Sequence, residues 1–421
     1  MAVAIDRTPE GGSDANTLYF DAGLRHQVGV RNFTSAEVSR LLQKFEQADQ
    51  TFTRNLRTQL RGLNNTAIRD VDEKLAFVLA AISESRDELM RGFRTEFRKS
   101  LTNLAQVEID FEERLINSAL PFTPQLNQVA PALLTAVIRE TPFSSGTDTT
   151  RLLDQWLVGL SRTDKRQLRE AIQLGLLQGD GINTIVARVA GTSSAAFGDG
   201  ILSITRRNAE VLVRTAINHV SNSARNLFWN ANANIIRILR WTATLDGRTT
   251  PICQSRDGRF TATDGNTLPP GVPKLEPPGA RPPAHPLCRS VMMGAFDQNG
   301  IVDVMGNRPF VRDMRTGRKR QLDFRSETRA KFSTDEWSSF TAQERNARIR
   351  TTKELWAKEN IGTIPTTITY DQWLRRQPSE FQDDVLGKAK GAKFRAGASV
   401  DRFVDRQGNT LTIKQLSAKG I

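Results

Sequence analysis

A chain of 421 residues with two cysteines and three histidines offers little to thiol or imidazole chemistry, so their placement matters. His285-Pro286-Leu287-Cys288 sets two ligand-type side chains three positions apart, as in half of a zinc site. A tetrahedral site needs four donors. Cys253 is a third, and Asp246 or Asp257 would have to supply the fourth. Three readings stay open at this point: one zinc ion, a Cys253–Cys288 disulfide, or two packed free thiols, the state a reducing compartment favours. Cys253 with His285 could also act as nucleophile and base, which makes a Cys/His hydrolase or a nuclease the alternative class. No nucleophile elbow or protease signature surrounds them. No phosphate-binding G-x-x-x-x-G-K-[ST] loop exists, which excludes an ATPase motor of that type. His219, with Arg214, Asn218 and Asn222 beside it on a helix, reads either as a polar, active-site-like face or as a satisfied structural histidine.

The other chemistry is electrostatic. The formal charge is +13. It is spread unevenly, about −2 over residues 1–120, 0 over 121–200, +6 over 201–300 and +9 over 301–421. A one-sided basic excess favours a polyanion. Arg312, Arg315, Arg318, Lys319 and Arg320 form the densest run, and Lys388, Lys390, Lys393 and Arg395 a second. Loosely spaced cations contact phosphates without reading bases. No helix-turn-helix, zinc finger or RNP motif is present, so only non-specific binding to double-stranded DNA is expected.

These residues need elements to hold them. The first 33 residues are weakly patterned and are expected to form an extended arm. Thr34 to Glu37 reads as a capping box, and Val38, Leu41, Leu42 and Phe45 follow at helical spacing. A long helix is predicted from about Ala67 to Leu120, with Leu89, Phe93, Phe97, Leu101 and Leu104 as one core-facing seam. Pro121, Pro124 and Pro131 interrupt it. Shorter helices are predicted over Ala132–Glu140, Thr150–Leu160, Asp164–Leu177, from Ile182, and over Ile204–Asn230.

The pattern then changes. Ile235 to Thr244 is β-branched and aromatic and reads as a strand. Asp246-Gly247 and Asp257-Gly258 are turns. Residues 269–286 hold eight of the seventeen prolines and must form a loop. Val291 to Gly294 returns to strand. Helix resumes from Ser333, Thr341 to Glu344 reads as a second capping box, Thr369 to Asp384 reads as helix around Trp373 despite Pro378, and the end from Phe403 to Leu416 reads as a hairpin or turn-helix. The expected fold class is α+β, mainly α: long N-terminal helices, a helical middle with a small β-containing core rich in Cys, His and Pro, and a basic tail. No apolar run is long enough to span a membrane, and the start carries no signal-peptide pattern.

Trp241-Thr242-Ala243-Thr244-Leu245-Asp246-Gly247-Arg248-Thr249, then Asp257-Gly258-Arg259-Phe260, then Pro282-Pro283-Ala284-His285-Pro286-Leu287-Cys288-Arg289 resemble the signature of the Mu F-like family of phage minor head proteins. The preceding helix, with Ala209–Val213 and Arg214-Thr215, and Gly181-Ile182 fit the same pattern. Tyr370–Pro378 and Phe381–Gly387 look like the tail that often follows the domain. The resemblance divides the chain into the arm (1–33), a long-helix domain (34–145), the Mu F-like domain (146–300) and a basic C-terminal region (301–421). It implies a structural protein of the virion, at the portal vertex or head interior, made in the host cytoplasm during assembly. Its implied partners are portal protein, major capsid protein and packaged double-stranded DNA, with no membrane, no small-molecule substrate and no catalytic residue. The implied motif residues are Trp241, Asp246, Gly247, Arg248, Thr249, Asp257, Gly258, Pro283, His285, Cys288 and Arg289. Thr250 and Ser290 stand where many members carry further cysteines, and Ala216 where members often carry Glu. A family metal site would therefore lack two ligands here, leaving no cofactor or a single zinc on Cys253, His285, Cys288 and Asp246. A virion-borne toxin or effector is a third reading, against which the ordinary tail after residue 300 counts.

Overall fold

The computed structural model describes residues 15–63, 70–144, 150–296, 306–312 and 323–421. It is mainly helical with small antiparallel sheets, and the chain divides into two compact units. No helix among the described residues is long and apolar enough to cross a membrane.

The first unit comprises residues 25–232 and the strap 282–288. Its helices are α1 (Ala15–Leu63, of which residues 25 onward belong here), α2 (Val71–Ala119), α3 (Pro131–Glu140), α4 (Leu153–Leu177), α5 (Ile182–Ala190) and α6 (Ile201–Ala231). Strands β1 (Phe143–Ser144) and β2 (Thr150–Arg151) pair antiparallel before α4. The predicted seam on α2 is real: Phe93, Phe97, Leu101 and Leu104 are buried. Asp70 starts this helix by accepting the Glu73 N–H at 3.0 Å. Phe52, Leu56 and Leu60 of α1, Leu75 and Val78 of α2, and Leu168 and Ile172 of α4 share one core with α5 and the start of α6.

Three expectations fail here for physical reasons. Residues 15–33 are helix, not an extended arm, and Thr34 is no cap: its hydroxyl donates back to the Val30 carbonyl at 2.7 Å in mid-helix. Nor is there a break near residue 162. The sequence favours two helices because Asp164 looks like an N-terminal residue. The carboxylate is instead buried inside α4, where Arg86 of α2 grips it through Nε at 3.0 Å and Nη2 at 2.9 Å.

Arg86 also reaches Asp49 of α1 at 2.6 Å. Arg206 of α6 pairs with the same Asp49, and Thr205 donates to Asp164 at 2.7 Å. Four helices thus meet at one buried ionic knot. A second lies along the same bundle: Arg225 of α6 meets Glu112 of α2 at 2.6 Å, Trp229 Nε1 donates to Glu112 at 3.0 Å, and His26 of α1 contacts Glu108 at 3.2 Å.

Among the described residues, the second unit comprises 15–24, 233–281, 289–296, 306–312 and 323–421. Its sheet has the order β4-β3-β5, all antiparallel, from β3 (Ile236–Thr242), β4 (Phe260–Ala262) and β5 (Val291–Phe296). Helix α7 (Pro251–Arg256), which the sequence did not announce, lies between β3 and β4. The β6 (Asn307–Val311) and β7 (Ile361–Pro365) pair is also new. Between them run α8 (Phe324–Arg329), α9 (Thr334–Ser339) and α10 (Ala342–Asn360). Both α9 and α10 begin with capping boxes, at Ser333/Glu336 and Thr341/Glu344. The tail is α11 (Tyr370–Arg375), α12 (Ser379–Leu386), α13 (Lys388–Arg395), a 3-10 turn (Val400–Phe403) and α14 (Ile413–Ala418). The single helix expected over Thr369–Asp384 is two, because Pro378, with no N–H to donate, separates α11 from α12.

The helical start of α1 is explained inside this unit. Asn16 exchanges hydrogen bonds with the Phe296 backbone at 3.1 and 2.8 Å, and Tyr19 packs edge-on against the Phe296 ring at 5.1 Å. Phe20 joins Ile238, Phe260 and Met293 in the core over the sheet. This packing overrides a weak local pattern.

Removing Arg86 would leave Asp164 buried without its cation. Breaking a buried pair in this way costs about 3–5 kcal/mol. Arg86→Met is expected to lower the unfolding free energy by that order in chemical denaturation, and a loss near zero would refute the knot's role in holding the bundle.

Motif loops as candidate functional site

The polar residues of the motif are organised by two carboxylates of the second unit. Asp257, at the turn entering β4, is buried and accepts four hydrogen bonds. They come from the Ala243 N–H at 2.7 Å, the Tyr370 N–H at 2.7 Å, and both terminal nitrogens of Arg308 at 2.9 and 3.1 Å. Arg308 also donates to the Ala243 carbonyl. Gly258 follows at φ +78°, and a Cβ there would stand 2.8 Å from the Thr369 methyl, so the turn takes glycine for both conformation and space.

Asp246 is the second anchor. Arg289 holds both of its oxygens, through Nη1 and, at 2.9 Å, Nη2. The Arg248 N–H and the Thr249 hydroxyl donate to it at 3.0 Å each. Burial works to raise this carboxyl, but Arg289, Arg248 and the backbone bond outweigh it and hold the group below the usual carboxylate range. Tyr370 Oη donates to the Asp246 carbonyl at 2.8 Å, and Gln254 donates to the Thr249 carbonyl at 2.7 Å. The Asp-Gly-Arg-Thr turn is thus closed on Arg289 from 43 residues away. Trp241 is fully buried, with Arg256 over its ring at 5.2 Å. Arg240 lies between the Phe20 and Phe260 rings and donates to the Thr366 carbonyl at 2.6 Å. Burial, with Arg308 nearby, pushes its guanidinium down to about 10, against the pull of Asp257.

In the first unit, the strap with His285 and Cys288 is held on α6. Leu287, at φ +57°, donates its N–H to the Thr215 hydroxyl at 3.1 Å, and Asn218 donates to the Cys288 carbonyl at 2.5 Å. The Cys288 N–H bonds the His285 carbonyl at 3.2 Å, and Pro283 follows a cis peptide. The strap therefore brings His285 and Cys288 onto one turn, with the imidazole Nδ1 2.7 Å from the Pro286 carbonyl. Cys253 sits buried on α7 of the second unit, and Cys288 is buried on the strap. Of the four donors read from the sequence, Asp246 is spent on Arg289.

His219 is buried on α6, stacked on Phe143 at 4.8 Å. Burial pushes it down to about 4, against a backbone hydrogen bond at Thr141. It is a neutral structural imidazole rather than part of an open polar face.

The basic residues are distributed differently. Arg315, Arg318, Lys319 and Arg320 lie outside the described residues. Arg312 is exposed at the end of β6. On α13, Lys393 donates to the Ile421 carbonyl at 2.6 Å and Arg395 pairs with Asp383 at 2.8 Å. Lys388 is exposed, and Lys390 is lowered by burial.

Residues 166–293 match the family model described as Phage Mu protein F like protein. This stretch, under a third of the chain, is similar to the Mu F-like family. It runs from within α4 to within β5 and takes in α6, both motif turns and the strap. The match suggests a phage head morphogenesis protein. No curated protein and no solved structure matches the chain significantly. The residues that complete the Mu F-like motif turns, Arg308, Thr369 and Tyr370, lie beyond the matched stretch. Sequence reading marked Tyr370 only as part of a tail and passed over Arg308, because nothing local ties a lone arginine to an aspartate 51 positions away.

A histidine neutral when folded and titrating near 6.5 when unfolded contributes stability above pH 6.5 that is lost as pH falls towards 4. Between pH 7.5 and pH 5 the native chain is expected to lose about 2 kcal/mol more than a His219→Gln variant. Equal losses in denaturant titrations would show that His219 is not buried as neutral imidazole.

Proposed function

We propose that the protein is a structural minor head protein of a tailed phage, acting at the portal vertex or in the head interior in head assembly, DNA packaging or delivery. The observation that carries the reading is the Mu F-like match over residues 166–293. The geometry agrees with a structural role. The motif's Asp246, Asp257 and Arg289 are consumed in holding turns together, and His219 is stacked in a core. The long helices α1 and α2 give an extended bundle suited to docking on portal or capsid protein.

The basic C-terminal region would face packaged DNA. Arg312 and Lys388 are exposed, and the run 315–320 adds four cations. Phosphate contacts of this kind are blind to sequence and weaken steeply with salt. Duplex DNA of several sequences is expected to bind equally at low salt and to be released at moderate salt. A triple reversal, Arg315→Glu, Arg318→Glu and Lys319→Glu, is expected to weaken binding by about tenfold or more without changing the melting temperature. Unchanged binding would remove the patch, and no binding by the native chain would turn the basic half towards acidic protein, with portal pull-down as the readout.

The motif also supports a proposal of one zinc on Cys253, His285 and Cys288. Its support is the rarity of these residue types and the three-residue spacing of His285 and Cys288 on the strap. Protein purified without chelator is expected to carry about one zinc per chain and to melt lower after chelation. A Cys288→Ser variant should lose both properties. Metal-free protein with a chelator-insensitive melting curve would leave the thiols as packing residues.

A further inference from the structure

The first unit carries an open trench along α4, in two lobes of about 580 and 240 Å³. Arg151 and Gly159 line both lobes. The larger lobe adds Val158 and Arg162, and the smaller is floored by Trp156 and by Val211 and Leu212 of α6. The saddle between them is low because residue 159 has no side chain. A Cβ there would meet only the Arg151 Nη1, at 3.9 Å.

Its polar groups are arranged asymmetrically. Asp154, the one carboxylate on the rim, is held by Arg98 through Nε at 3.0 Å and Nη2 at 2.5 Å. Neither Arg151 nor Arg162 has an acidic partner among the described residues. Arg151 is set in place by Trp156, whose ring lies 5.1 Å below its guanidinium. Trp156 is fixed in turn, its Nε1–H donating to the Phe143 carbonyl at 2.9 Å. The result is an ordered guanidinium at the end of β2 with its donors unspent among the described residues, beside an apolar floor, with a second guanidinium, Arg162, on α4.

We propose that this trench binds an acidic peptide segment of a partner protein, with carboxylates on Arg151 and Arg162 and an apolar side chain seated over Gly159. Guanidinium forks match carboxylates in two-point geometry, and an aromatic-backed arginine in a pocket is the kind of group that dominates protein interfaces. Nucleic acid fits less well. The Trp156 ring is covered by Arg151 and flanked by Phe143 at 6.3 Å, so it is no open platform for a base. A duplex has no apolar group to fill the floor. The inference does not depend on the head-protein reading or on the basic tail, since every residue in it belongs to the first unit.

The test uses the full chain and a short fluorescent peptide of alternating glutamate and leucine, read by anisotropy. The peptide is expected to bind, and Arg151→Glu and Arg162→Glu are each expected to weaken it about tenfold. Gly159→Leu should block binding in low and high salt alike, because it fills the floor rather than changing charge. That substitution improves helix propensity and its Cβ meets only the Arg151 Nη1, in ordinary contact at 3.9 Å, so its melting temperature serves as the check that the fold is intact. A lysine–leucine peptide should not bind. The proposal is overturned if the native chain fails to bind the acidic peptide, if the three variants bind it like the native chain, or if duplex DNA displaces it and is itself lost in the Gly159→Leu variant.

Discussion

The Asp257 carboxylate is the constraint around which the second unit is built. Its four donors come from the end of β3, from β6 and from the start of α11. A buried carboxylate is costly unless its oxygens are satisfied and its charge is matched. Here two backbone amides and one guanidinium do both. Each donor is tied to further structure. Arg308 bridges back to Ala243, while Tyr370 carries its hydroxyl to the Asp246 carbonyl and its ring into the core with Trp373, Phe381 and Phe394. Leu245, from the motif turn, is part of that same core. The Mu F-like turns and the tail beyond them therefore form one folding unit, and the family stretch alone would leave Asp257 without Arg308 and Tyr370.

The first unit solves a related problem with longer elements. Its helices are amphipathic enough to form a core, yet four carry charges into it. Asp49, Asp164, Glu108 and Glu112 would each be prohibitive alone; Arg86, Arg206 and Arg225 turn them into cross-links between α1, α2, α4 and α6. Apolar seams fix that helices pack but tolerate sliding along their axes. A bidentate ion pair such as Arg86–Asp164 does not, so these knots set the register of the bundle.

What could be read from the sequence follows from the range of the interactions. Most of the α2 seam, the loop of prolines, the strands near the motif, the helix starting at Ser333 and the capping box at Thr341 are local patterns, and each appears where the pattern places it, with Leu89 of the seam only half-buried. The start of α1 was misread because Asn16, Tyr19 and Phe20 owe their helix to β5, some 280 residues away. The continuity of α4 through Asp164 is not legible locally, because the partner that accepts this aspartate inside the bundle, Arg86, lies 78 positions away. The motif aspartates were recognised, but their partners were not. Arg289 lies on the far side of the proline loop and Arg308 beyond the matched stretch, so Asp246 looked like a free ligand. The placement of His219 could not be read either, since only Phe143 and the fold around it distinguish a stacked neutral imidazole from a catalytic one.

Burial also changes what the basic composition means. Seven carboxylates are buried among the described residues: Glu37, Asp49, Glu108, Glu112, Asp164, Asp246 and Asp257. Five arginines are buried with them: Arg86, Arg225, Arg240, Arg256 and Arg308. Among the described residues, folding thus buries two more carboxylates than arginines, which leaves their exposed surface more basic than their composition. Arg240 runs the other way, a guanidinium in the second unit supported by aromatic faces and one carbonyl instead of a carboxylate of its own. Its tolerance rests on Asp257, already shared with Arg308, which gives that single aspartate two buried cations to balance. Loss of Asp257 would leave both unmatched at once, so the residue that closes the motif turn also carries the electrostatic cost of the strand beside it.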